Sequence, residues 1–114
     1  MLTTAYRHEG PSAVRYPRGN GPGVAVDATL DTLPVGKAEV RREIRQNDKP
    51  TAHRVALLAF GSMLTPALAA AEELDAAVVN MRFVKPLDEA LLKTLAADHA
   101  LFVSLEENTV IGGA

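Results

Sequence analysis

Two arginines beside a glycine-rich turn are the residues of this sequence whose types and spacing could bind an anion. Arg15 and Arg18 belong to a run, residues 15–23, that ends in Gly, Asn and Pro. Arginine presents a planar fork of donors suited to phosphate, and glycines let backbone N–H groups approach the same anion. We expect a strand to deliver Arg18 to the mouth of this loop. The alternative is an ordinary solvated arginine at a strand end.

Ser62 and the pair Glu106 and Glu107 are the other candidates for chemistry. Ser62 follows a glycine but lacks the second glycine of a nucleophile elbow, so we expect a tight strand-to-helix turn. Backbone N–H groups of that turn could still hold an anion. The paired carboxylates could serve acid–base chemistry, although capping or a subunit contact is the simpler interpretation. The sequence contains neither a Walker loop nor a Gly-x-Gly-x-x-Gly motif.

Two further groups of side chains are expected to have structural roles. The three histidines stand in separate segments without metal-ligand spacing, which indicates surface or loop positions. A cluster of three arginines is expected on the solvated face of a strand. These groups are His8, His53 and His99, and Arg41, Arg42 and Arg45.

Composition indicates one modest α/β domain. Of the 114 residues, 47% are hydrophobic and only 4% aromatic, which predicts a core of Ala, Val and Leu. The absence of cysteine excludes disulfides and thiolate metal sites. No run of 18 apolar residues and no basic start followed by an apolar stretch is present, so neither a membrane span nor a signal peptide is expected.

Charge is distributed unevenly along the chain. Residues 1–54 hold nine Lys or Arg against six Asp or Glu, whereas residues 55–114 hold three against eight. The basic excess is small, and no aromatic residues are interleaved with it as single-strand binders would need. A discrete anionic ligand near Arg15 and Arg18 is a better explanation than nucleic acid.

Hydrophobic patterning predicts a parallel sheet built from βαβ units. Three apolar strands alternate with two short helices, and a charged edge strand precedes them. The expected strands are 35–45, 54–60, 77–84 and 101–105, and the expected helices are 66–75 and 89–98. We expect the first two strands to pair antiparallel across the turn at 46–51.

Ligands of such sheets meet the carboxyl ends of the parallel strands. Those ends are residues 61–63, 82–86 and 106–108. The sheet edges are left bare, and both termini fall where further elements would be expected, so we expect a domain truncated at both ends.

Five blocks in family order resemble the 1-deoxy-D-xylulose-5-phosphate synthase family. The Tyr-Pro-Arg-Gly motif at 16–19 separates that family from other transketolase-type proteins, which share runs like the Lys-Pro-Leu-Asp at 85–88. The blocks are residues 12–21, 33–37, 55–61, 81–90 and 103–108, followed by the Gly-Gly-Ala at 112–114.

The resemblance implies a thiamine-diphosphate-dependent transferase that condenses pyruvate with D-glyceraldehyde 3-phosphate, releasing CO2, to make 1-deoxy-D-xylulose 5-phosphate. That product serves isoprenoid, thiamine and pyridoxal biosynthesis. The family uses Mg²⁺, is cytoplasmic in bacteria and forms homodimers. For this chain it implies an α/β fold like the transketolase C-terminal domain, with a mostly parallel sheet and an antiparallel edge strand.

The resemblance also implies a division of the chain and of its residues. Residues 1–23 would be the terminal strand and loop of the pyrimidine-binding domain, 24–34 a linker, and 35–114 an incomplete C-terminal domain. Arg18 would grip the triose phosphate, and Arg15 is a weaker candidate because strand alternation should turn it away. No catalytic, cofactor-binding or metal-binding residue is expected here, and the chain alone should be inactive. The alternative is a noncatalytic binding or interaction module of the same fold.

Overall fold

The chain forms two units, Met1–Val35 and Gly36–Ala114. The computed structural model describes residues 1–21, 23, 25, 28–46, 48, 50–108, 111 and 113–114. Some positions named from the sequence lie outside these residues: Pro22 of the glycine-rich run, 24, 26 and 27 of the predicted linker, 47 and 49 of the predicted turn, and Gly112 near the end.

The first unit contains one short helix, α1 (Leu2–Arg7), which the sequence did not predict. Thr4 is buried within it, and its Oγ1 accepts the backbone N–H of Leu33 at 2.9 Å. The strand expected before Arg18 is absent, because described residues 8–21 carry no strand assignment. A strand needs a neighbour to accept its backbone hydrogen bonds, and no ladder partner exists among the described residues of this unit.

The second unit is organised around a central parallel strand, β2 (Val55–Ala59). Strands β3 (Ala77–Asn80) and β4 (Leu101–Leu105) flank it, both parallel to it, and β1 (Glu39–Arg42) pairs antiparallel with β3 at the edge. The sheet order is therefore β1-β3-β2-β4. The predicted α/β class, with a mostly parallel sheet and an antiparallel edge strand, is confirmed.

The predicted pairing of the first two strands was wrong. Both edges of β2 are occupied by parallel neighbours, so β1 pairs with β3 instead, with Glu39 opposite Asn80 and Val40 opposite Val79. Element lengths also differ. The edge strand is shorter than the predicted strand 35–45, and β3 ends at Asn80 instead of residue 84. The helix predicted at 66–75 is α2 (Leu64–Leu74), and the helix predicted at 89–98 is α3 (Glu89–Ala96).

The two helices of this unit cover opposite faces of the sheet. The β2-α2-β3 and β3-α3-β4 connections run in opposite directions across the sheet, and right-handed crossovers then place α2 and α3 on different faces. Ala67 and Ala71 of α2 pack with Leu57 and Val78. Three leucines of α3 pack with Leu58, Val79 and Met81 on the other face; they are Leu91, Leu92 and Leu95. As predicted, Ala, Val and Leu dominate the core.

The arginine cluster of β1 is only partly a solvated face. The Arg42 side chain is 7% exposed, because it lies on the α2 face and contacts Glu72, Asp75 and the carbonyl oxygen of Ala76. Arg41 is 43% exposed and Arg45 69% exposed, as expected. The prediction failed for Arg42 because its charge is matched by carboxylates from a helix that is distant in the sequence.

Candidate functional site

The carboxyl ends of the parallel strands form the edge at which this fold class binds ligands. The chain leaves β2 toward β3 on one side, and β4 lies on the other side of β2, so the strand order reverses between β2 and β4. The carboxyl edge next to such a reversal is the general ligand position of open α/β sheets. Residues 60–63 follow β2, residues 81–88 follow β3 and residues 106–108 follow β4.

Arg82, at this edge, has an uncommon backbone conformation for a residue other than glycine. The N–H of Phe83 donates to the carbonyl oxygen of Met81 at 2.5 Å, and Arg82 between them has φ of +58°. A non-glycine residue in this region costs on the order of 1–2 kcal/mol. The Arg82 side chain is 21% exposed, and its Nη2 lies 2.5 Å from Oε2 of Glu39. The structure thus holds a guanidinium, which can bind anions, at the carboxyl edge of the sheet.

A close approach between Gly36 and Pro86 fixes the loop that follows Arg82. Gly36 has φ of +70°, and a Cβ at this position would lie 2.9 Å from Pro86 Cγ. The Lys85–Pro86 peptide bond is cis. Only a glycine combines this backbone conformation with such a close neighbour.

Asp88 joins the start of α3 to the start of the second unit. Its Oδ1 accepts the N–H of Leu91, which caps the helix as predicted, and its Oδ2 accepts the N–H of Ala38 at 3.1 Å. Lys37 Nζ lies 3.4 Å from Oδ1. These hydrogen bonds, from Leu91 first and then Ala38 and Lys37, lower the pKa of the Asp88 carboxyl despite the opposing effect of burial. The residue therefore joins the start of α3, just after the loop 82–87, to residues 37 and 38 as an ionised cap.

The other predicted candidates at this edge have structural partners or exposed positions. Ser62 is exposed in a short turn, Gly61–Met63, that leads directly into α2. The Glu106 carboxylate accepts the N–H of Ala114 at 2.6 Å, and Glu107 is exposed. The backbone N–H of Phe60 donates to the carbonyl of Leu105, which extends the contact between β2 and β4. The geometry at Ser62 fits a strand-to-helix turn, and the geometry at Glu106 fits a capping role.

Arg15 and Arg18 lie in the first unit, and both are exposed. A Cβ built on Gly19 or Gly21 would meet nothing within 4 Å, so the loop after Arg18 is open to solvent. The guanidinium of Arg18 and the glycines after it are thus exposed, and the anion site there stays a prediction.

At the opposite edge of the sheet, a cleft of about 290 Å³ opens at the amino ends of the parallel strands. Arg54 and His99 line it, and Arg54 Nη1 lies 2.6 Å from Oδ2 of Asp98. His99 lies in the loop between α3 and β4, within the predicted surface or loop positions, and it is partly buried with its Nδ1 3.0 Å from the carbonyl oxygen of Leu95. Because a carbonyl oxygen only accepts, this hydrogen bond requires Nδ1 to carry a hydrogen. Nε2 is buried without a partner in the described part of the chain.

The described residues contain no cluster of three or more His, Asp or Glu side chains arranged to hold a metal ion. No helix among them has both the length and the apolar character needed to cross a membrane.

Sequence reasoning therefore identified the carboxyl edge but missed two residues at it. Arg82 was placed at a strand end without a role, and Glu39 was included only among the edge-strand charges. The position of Arg82 just after an apolar strand was the available signal. Its positive φ and its pairing with Glu39, 43 residues away, depend on tertiary structure.

Residues 36–114 match the protein family described as "Transketolase, C-terminal domain". Curated relatives named 1-deoxy-D-xylulose-5-phosphate synthase match the whole chain. The relative from Nitrosomonas europaea is 59% identical over 114 residues, that from Thioalkalivibrio sulfidiphilus 62% and that from Aromatoleum aromaticum 60%. The chain spans 17% of the length of each of these relatives. The resemblance predicted from the sequence blocks is thus confirmed along all of this chain.

Proposed function

Because the chain belongs to the transketolase C-terminal domain family, we propose that it acts as part of a longer thiamine-diphosphate-dependent transferase. The reaction proposed is condensation of pyruvate with D-glyceraldehyde 3-phosphate to 1-deoxy-D-xylulose 5-phosphate and CO2. The observation that carries this proposal is the identity of 59% to 62% with three synthases across both units. The proposed pathways are isoprenoid, thiamine and pyridoxal biosynthesis.

The residues of this chain are proposed to bind substrate and not to react with it. Arg18, in the exposed loop of the first unit, is proposed to bind the phosphate of the triose, with Arg15 as a weaker candidate. Arg82 is added from the structure as an anion-binding residue of the second unit, because its guanidinium is held at the carboxyl edge. Each charge-assisted hydrogen bond of this kind contributes about 1.5–3 kcal/mol.

None of this chain's residues is proposed to hold the cofactor or Mg²⁺. Thiamine diphosphate, where it is bound, supplies carbanion stabilisation. What the present residues are proposed to contribute is orientation: a guanidinium that binds the phosphate places the carbonyl end of the triose for reaction. We further propose a cytoplasmic homodimer for the full-length protein.

The proposal is tested by comparing the 114-residue chain with the full-length protein that carries it. Each is mixed with pyruvate, glyceraldehyde 3-phosphate, thiamine diphosphate and Mg²⁺, and the appearance of 1-deoxy-D-xylulose 5-phosphate is followed. We expect product from the full-length protein and none from the chain alone. A folded full-length protein that makes no product would refute the synthase assignment and favour a noncatalytic binding module.

A further inference from the structure

Glu39 is placed beside Arg82 by the pairing of the edge strand. It is the first residue of β1 and lies opposite Asn80, the last residue of β3. Side chains directly opposite in an antiparallel pair share one face, and Arg82 follows Asn80 by two residues. The register therefore brings the Glu39 carboxylate to the carboxyl edge, where its Oε2 accepts a hydrogen bond from Nη2 of Arg82 at 2.5 Å.

This contact occupies one nitrogen of the guanidinium. A guanidinium has five N–H donors in a rigid plane, and Glu39 engages Nη2. Within the described residues, no other acceptor is hydrogen-bonded to the Arg82 side chain. The turn around Arg82 fixes the direction in which its side chain leaves the backbone, and the Glu39 carboxylate fixes the position of the guanidinium. The remaining donors, including Nε and Nη1, are thereby held in a defined plane.

We propose that Glu39 is a positioning residue that orients the guanidinium of Arg82 toward a bound phosphate. This inference rests on the proposed function, since it assumes that Arg82 binds the anion. An arginine side chain has many rotamers, and a partner that orders it before binding removes that entropy cost from the binding step.

The negative charge of Glu39 opposes this effect, but two observations limit the repulsion. The Glu39 side chain is 40% exposed, so water and salt screen its charge. Its Oε2 also lies 3.8 Å from Nη1 of Arg41, which offsets the carboxylate charge further. On this basis we expect the ordering of Arg82 to outweigh the repulsion between Glu39 and the anion.

The test compares Glu39→Ala and Glu39→Gln in the full-length protein by steady-state kinetics. Alanine removes the acceptor, and we expect KM for glyceraldehyde 3-phosphate to rise about threefold to tenfold with kcat within about twofold. Glutamine retains an acceptor oxygen, and we expect KM within about twofold of the parent value. A KM that is unchanged or lowered by Glu39→Ala overturns the inference, as does a Glu39→Gln variant as impaired as Glu39→Ala.

Two further variants separate this inference from the proposal on which it rests. If Arg82→Ala leaves KM for the triose phosphate unchanged, the anion-binding role of Arg82 fails, and the role of Glu39 fails with it. If Arg82→Ala raises KM but Glu39→Ala does not, only the positioning role fails. In an Arg82→Ala background we expect Glu39→Ala to have no further effect on KM, and an additional rise would show that Glu39 acts by another route.

The matched control is Glu89→Ala. Glu89 is 75% exposed and pairs with Lys93 within α3, so its removal deletes a carboxylate from the same unit without touching Arg82. We expect parental KM and kcat. Thermal unfolding of each variant shows whether a kinetic change reflects loss of folded protein.

Discussion

Nη2 of Arg42 lies 3.2 Å from Oδ1 of Asp75, and this contact joins the end of β1 to the end of α2. Asp75 follows the helix with φ of +47°, and its carboxylate also accepts the backbone N–H groups of Arg45 and Gln46. The side chains of Arg42 and Asp75 are 7% and 15% exposed. The edge strand β1 is thus held in two ways, by its hydrogen bonds to β3 and by a nearly buried ion pair with the end of α2.

Arg42→Ala is expected to lower the free energy of unfolding by about 2–4 kcal/mol, because it leaves Asp75 and the carbonyl of Ala76 without their buried partner. Denaturant unfolding of the 114-residue chain measures this change. The control is Arg41→Ala, since Arg41 is 43% exposed and its carboxylate partner Glu39 is 3.8 Å away. We expect a change below about 0.5 kcal/mol there. Equal effects of the two substitutions would contradict the structural role of Arg42.

Gly36→Ala is expected to destabilise the second unit by about 1–3 kcal/mol. The added Cβ would stand 2.9 Å from Pro86 Cγ, and the backbone has φ of +70°, so contact and conformation both oppose it. Gly19→Ala is the matched control, because a Cβ there meets nothing within 4 Å. We expect Gly19→Ala to leave the unfolding midpoint unchanged or slightly raised. A Gly36→Ala chain as stable as the parent would show that Gly36 and Pro86 are not in close contact.

Asp88 makes the stability of the second unit depend on pH in the acid range. The hydrogen bonds from Leu91 and Ala38, with Lys37, lower its pKa in the folded state below the usual value of 3.8. The unfolded chain therefore binds the proton more readily. The contribution of Asp88 is present in full above the unfolded pKa, and it is lost as pH falls through the lower folded pKa.

This dependence is measured by comparing the parent chain with Asp88→Asn between about pH 2 and pH 6. Asparagine keeps an acceptor for the N–H of Leu91 but carries no charge. We expect the difference in unfolding free energy between the two chains to grow as pH rises through the region near and below 3.8. A difference that does not change with pH would mean that the ionised form has no advantage in the fold.

Local sequence patterns were sufficient to predict most of the second unit. The run from Val55 to Phe60 is continuously apolar, as a strand covered on both faces must be, and Asp88 precedes an amphipathic segment as a helix cap does. The α/β class follows from the alternation of such segments. Each of these features depends on residues close together in the chain, which is why periodicity and capping rules could identify them.

The features that failed depend on distant partners. The pairing of β1 with β3 depends on β4 occupying the second edge of β2, and the register that aligns Glu39 with Asn80 joins residues about 40 positions apart. The burial of Arg42 requires a carboxylate from α2, and the exposed backbone around Arg18 lacks the strand partner that its residue types suggested. In the first unit, Arg18 could be singled out from its residue type and neighbours, whereas in the second unit the positive φ of Arg82 could not be predicted from the sequence.

The phosphate-binding role of Arg18 is the claim that most directly links this chain to synthase activity. The measurement is kcat/KM for glyceraldehyde 3-phosphate in the full-length protein carrying Arg18→Ala, with Arg7→Ala as a control that removes another exposed arginine of the same unit. Loss of a charged hydrogen bond of about 1.5–3 kcal/mol predicts a fall of about tenfold or more for Arg18→Ala. We expect a smaller fall for Arg15→Ala and none for Arg7→Ala. An Arg18→Ala protein with parental kcat/KM would contradict the account.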